Sequence, residues 1–213
     1  MTEDEWLATL DPLQVLTNLV GKPTWRKMQL AAVACCHRMK HVLTDERSLR
    51  AVEVAELYAD RSHGIIDTRE AEEQAAQVVD RVMELGADAR NAAHCAAVCL
   101  AFWAPAPWGT FQVFQHSSAA VSRAEQMGIL ACVFGVPHRL RRIQITLDPS
   151  WLTPAVVALA AQMYESRDFG AMPILADALQ DAGCDSADVL DHCRGPGPHV
   201  RGCWVVDLIL GKE

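Results

Sequence analysis

The chain has 213 residues, 51% hydrophobic and 22% charged, a balance that fits a folded globular protein and excludes a disordered one. Its formal net charge of -8 at pH 7 opposes broad attraction to nucleic acid or to an anionic membrane. No apolar run is long enough to cross a bilayer: the longest, residues 92–104, contains His94 and ends before Pro105.

The acidic opening residues Met1–Trp6 lack the apolar centre of a targeting signal, so a soluble, cytoplasmic protein is expected. In that setting the eight cysteines read as free thiols or metal ligands rather than as a disulfide framework.

In chain order the pattern is helical nearly everywhere. Thr2 and the acids after it suit the start of a short helix holding Trp6 and Leu7. Asp11-Pro12 opens a second, which Gly21 stops. From Thr24, Trp25, Met28, Ala32, Cys35, Met39 and Val42 recur at three-four spacing and predict one buried helix face. Thr44-Asp45-Glu46 opens the next helix, and Asp67–Glu70 has capping-box form before an Ala/Glu/Gln-rich helix that ends by Gly86. Arg61–Gly64 between them reads as a loop.

Asn91–Trp103 is apolar on almost every side, and such a helix belongs in the middle of a bundle. Pro105 and the residues to Gly109 end it, and Thr110–Gln115 is expected to be extended. Ser117–Phe134 resumes a helix, with Gly128 as an internal weak point. Ile143–Leu147 alternates like a strand. Helices are then expected from Thr153 to about Glu165, from Pro173 to Gly183, from Ser186 to Cys193 and from Val200 to Leu210. The reading is all-α: one multi-helix domain spanning 1–213 around the central apolar helix, with at most one short hairpin or strand. Its candidate subdivision is near 137–149.

The densest chemistry lies between Cys184 and Trp204. Cys184, Cys193, His199 and Cys203 are the ligand types of a closed zinc site, although no Cys-x2-Cys pair is present. The plainer alternative packs the cysteines as small apolar residues at helix ends. On that view no cofactor is expected, with zinc as the alternative. Arg194, His199 and Arg201 around the Gly195–Pro198 turn could hold a carboxylate or phosphate, or pair internally with residues such as Asp191 or Asp207. Arg139, Arg141 and Arg142 form the one dense basic run, a candidate contact for nucleic acid that the acidic chain disfavours.

Cys35-Cys36-His37 reads as structural, because adjacent helical residues point about 100° apart. Cys95 and Cys99, an i, i+4 pair on one helix face, could hold a metal with His94, but in so apolar a helix they read first as buried thiols. There is no Gly-x-Ser-x-Gly elbow, phosphate-binding glycine loop, His-Glu-x-x-His or dinucleotide fingerprint, and no catalytic residue is assigned.

Several strings carry a resemblance. They are Thr2-Glu-x-Glu-Trp-Leu-Ala, Lys27-x-x-Leu30 with Ala34-Cys35-Cys36, Leu43–Ser48 with Ala51–Glu56, Leu147-Asp-Pro-x-Trp-Leu152, Pro173–Leu179 with Ala182-Gly-Cys184, and His192–Asp207. On these the chain resembles a family of uncharacterised proteins abundant in planctomycete bacteria. The resemblance covers both ends and leaves Gly64–Pro137 unmatched. It implies a lineage and transfers no activity.

The expectation from sequence is a non-enzymatic interaction module that binds another macromolecule, a protein in the first instance, with no membrane partner. One alternative is a Cys/His metal-binding protein with its site at the C-terminal Gly/Pro loop. Another is a nucleic-acid-associated accessory protein.

Overall fold

The computed structural model describes residues 11–19, 25–60, 68–81, 87–100, 106–135 and 147–212. Among the described residues the protein is all-α: eleven α-helices, one 3-10 turn and no strand. The expected helix at Trp6, the loop at Arg61–Gly64 and the strand positions 143–146 lie outside them. Backbone proximity divides the chain into two compact units, Leu7–Met127 and one containing Gly128–Glu213. Most of the subdivision expected at 137–149 also falls outside the described residues.

The first unit contains α1 (Pro12–Leu19), α2 (Trp25–Arg38), α3 (Glu46–Asp60), α4 (Arg69–Arg81), α5 (Ala87–Leu100) and α6 (Ala106–Ser117). The start of α7 (Arg123–Phe134) completes it. Side chains fix several helix starts. The amide of Arg47 donates to Asp45 Oδ1 at 2.9 Å, and the Thr68 hydroxyl donates to Glu72 at 2.8 Å. Ser122 and Glu125 form a reciprocal capping box: the Ser122 amide donates to Glu125, and the Glu125 amide donates to the Ser122 hydroxyl.

The apolar α5 packs against α2, α3, α4 and α6. Its small Ala92, Ala93, Cys95, Ala96 and Cys99 are buried, which lets those neighbours approach closely. The expected single face of α2 is wider than the spacing suggested. Met28 and every residue from Leu30 to Cys36 are buried, because the charged Arg26, Lys27 and Arg38 are confined to its two ends. There Arg26 Nε meets Asp60 Oδ1 of α3 at 3.0 Å.

Thr110–Gln115 is helical, not extended. The prolines near residue 105 suggested a break, yet proline is tolerated in a helix's first turn, and Pro107 occupies one here. Thr110, Val113, Phe114 and Ser117 share one buried face, and the Thr110 hydroxyl donates to the Met28 carbonyl at 3.0 Å.

The second unit continues α7 and adds the 3-10 turn Pro149–Trp151, α8 (Pro154–Ser166), α9 (Met172–Asp181), α10 (Ala187–Arg194) and α11 (Trp204–Leu210). Asp148 caps the turn by accepting from the Ser150 amide at 2.8 Å, and Thr153 caps α8 by accepting from Val156. The unit has its own core. Val156, Ala160, Met163, Tyr164, Leu175, Leu179, Val189, Val205 and Val206 are buried together. Burying each such Leu or Val contributes about 1.5–3 kcal/mol. The last helix starts at Trp204, not at Val200. Gly202 takes φ +88°, and the Cys203 amide donates back to the Val200 carbonyl, closing a turn where the helix was expected.

Candidate metal centre

Two helices and one loop of the second unit meet at a group of four ligand-bearing side chains. Cys132, His192, His199 and Cys203 each offer a ligand atom, and these four atoms lie within 4.8 Å of one another. Cys132 is on the last turns of α7, His192 on α10, and His199 and Cys203 flank the turn between α10 and α11. All but the half-buried His199 are buried.

Glycine makes the assembly sterically feasible. Gly128 lies one turn before Cys132, on the same face of α7, and a methyl group there would collide with the ring of Pro198. The loop therefore rests directly on the helix backbone beside Cys132, and the Val200 amide donates to Cys132 Sγ at 3.4 Å. At Gly197 the backbone takes φ +78°, where a side chain would stand 2.8 Å from the His199 nitrogen. That bend turns the chain back so that His199 enters the group.

The polar geometry prepares the donors. His192 Nε2 lies 3.2 Å from Cys203 Sγ. His199 Nε2 lies 3.3 Å from the Gly195 carbonyl. A carbonyl only accepts, so this nitrogen carries a proton and donates it. The two imidazoles meet edge to face at 5.0 Å between centroids, and Trp204 lies against His192 at 5.2 Å. Burial alone would push the Cys203 thiol up. Hydrogen bonding to Cys132, the charge of His192 and hydrogen bonds to His192 and His199 reverse this and hold it well below the ordinary thiol value. These contacts favour the thiolate of Cys203, the form that ligates metal.

The candidate residues from sequence separate accordingly. His199 and Cys203 are in the group. Cys193 is fully buried in the core, where burial pushes its thiol up, and Cys184 is buried after α9 with its thiol also raised by burial. Neither is among the four. Arg194 donates to Asp177 at 3.0 Å and to Gln180 at 2.6 Å, an internal pairing. Arg201 is buried with its guanidinium 4.5 Å from the centre of the Tyr164 ring. Arg139, Arg141 and Arg142 lie outside the described residues.

The ligand set read from the sequence left out Cys132 and His192, although His192 stands in the same ligand-rich stretch. A glycine inside a helix marks close backbone approach, and Gly128 one turn before Cys132 was such a signal. His192 and Cys193 are neighbours on one helix, so only one can face the site. It is the histidine.

No family profile, curated protein or solved structure matches this chain.

Proposed function

We propose that this protein binds one zinc ion through Cys132, His192, His199 and Cys203, and that the ion acts as a structural staple for the C-terminal helices. The observation that carries the reading is the convergence of four donor atoms within 4.8 Å from positions as far apart as Cys132 and Cys203. Zinc bonds of about 2.3 Å to sulfur and 2.0–2.1 Å to nitrogen imply donor separations of about 3.3–3.8 Å, so loading requires only a small contraction. Two thiols and two imidazoles are a familiar donor set for zinc, and the hydrogen bonds from Val200 to Cys132 and between His199 and Gly195 are of the outer kind that orient ligands.

Four protein donors fill a tetrahedron and leave no position for water or substrate, which favours a structural role over hydrolysis. The metal reading ranks ahead of the interaction module because Arg194 and Arg201, the loop's candidate partner-binding groups, are engaged internally. Elemental analysis of the purified protein is expected to find about one equivalent of zinc. Cys132→Ser and Cys203→Ser should each lose it, and Cys184→Ser and Cys193→Ser should keep it. Metal-free protein whose melting is indifferent to chelator would end this reading.

A further inference from the structure

We propose that Cys36 and Cys99 form an oxidation site in the Leu7–Met127 unit, a dithiol that converts reversibly to a disulfide joining α2 to α5. The two Sγ atoms are 3.3 Å apart across 63 residues of chain. Forming the bond, at about 2.05 Å, draws the sulfurs together by little more than an ångström. The register is already held, because the Gln29 side-chain amide donates to the Cys99 carbonyl one face-repeat along α2 from Cys36. The neighbouring thiols are directed elsewhere: Cys95 donates to the Val113 carbonyl at 3.6 Å, and Cys35 hydrogen-bonds Ser117. One pairing is therefore favoured among the four cysteines of this unit. The site is independent of the metal centre.

The oxidant class is a small peroxide, able to reach a buried site. The Cys36 thiolate attacks one oxygen of hydrogen peroxide, giving a sulfenic acid and hydroxide. The Cys99 sulfur then attacks Cys36 Sγ, the sulfur–oxygen bond breaks, and the departing hydroxide takes the Cys99 proton. In balance, two thiols and one peroxide give one disulfide and two waters, with two electrons passing from sulfur to oxygen. A thiol reductant reverses the change by exchange. Hydrogen bonding to Cys99 and burial raise the Cys36 thiol well above its ordinary value, so the reaction is slow at neutral pH and accelerates as pH rises.

The test treats the full-length protein, as purified, with hydrogen peroxide at neutral and mildly alkaline pH. Free thiols are then alkylated, and the protein is digested without reductant and mapped by mass spectrometry. The expected product joins the Cys36 and Cys99 peptides, forms faster at the higher pH, disappears with dithiothreitol and raises the melting temperature. Cys35→Ser and Cys95→Ser should keep it, and Cys36→Ser and Cys99→Ser should abolish it. Another dominant cysteine pair overturns the proposal. So does full alkylation of Cys36 and Cys99 after a peroxide dose that oxidises a free small thiol under the same conditions. The wild-type map decides the matter even if a serine variant fails to fold.

Discussion

Cys36 in the first unit and Cys203 in the second are both fully buried, yet their acidities move in opposite directions. Around Cys36 the interacting groups are the thiols of Cys35, Cys95 and Cys99. Its contact with Cys99 and its burial favour the neutral form. Around Cys203 two imidazoles and the Cys132 sulfur outweigh burial and favour the anion. Cys193, buried in the same core as Cys203, follows Cys36 upward. Burial is common to all three, so the partners decide which thiol is made more acidic and which less.

The largest expected effect tests that division directly. Cys203→Ser should release the metal and destabilise by about 3–4 kcal/mol, the linkage expected for an ion held at a hundred to a thousand times its dissociation constant. Cys36→Ser should keep the metal and cost about 1–3 kcal/mol for a hydroxyl in an apolar site. Equal metal retention by both variants would erase the contrast.

Acid and alkali should act on opposite sides. The lowered Cys203 thiol contributes stability that is full above its unfolded value, near pH 8.5, and lost as pH falls through its folded value. Acidification is therefore expected to release zinc, as a chelating dye would record. The raised thiols of Cys35, Cys36 and Cys95 contribute stability below about pH 8.5 that is lost as pH rises towards their folded values. Thermal melts across alkaline pH should show that loss in the Leu7–Met127 unit.

Two helical glycines give a smaller contrast. Gly128→Ala is expected to cost about 1–3 kcal/mol and to weaken zinc binding, since the added methyl must displace Pro198. Gly109→Ala on α6 places its methyl no nearer than 3.6 Å to a neighbouring atom and should stabilise by about 0.5–1 kcal/mol. Paired melting curves would expose a wrong sign in either.

Cys193→Ala should lose about 1 kcal/mol with zinc retained. Metal release by this variant would restore the ligand set drawn from spacing alone.

The all-α class was legible because caps and three-four spacing are local signals, and the caps are seen at Asp45 and Thr153. The metal group was legible only in part. His199 and Cys203 stood out beside a glycine–proline turn, but Cys132 reaches them through tertiary packing against Gly128, which no local spacing encodes. Misreading Thr110–Gln115 had a similar origin. The prolines before it were taken as terminators, and the buried face of α6 depends on α2 and α5 being in place.

Trp204 gives the group an optical property. Its indole lies 5.2 Å from the His192 imidazole, and only 9% of the residue's surface is exposed. An imidazolium quenches indole emission at such range more strongly than a neutral ring does, and a metal-bound imidazole cannot take up a proton at its ligating nitrogen. If zinc loads as proposed, Trp204 emission should change on loading, and Trp204→Phe should remove that change while the other five tryptophans still emit.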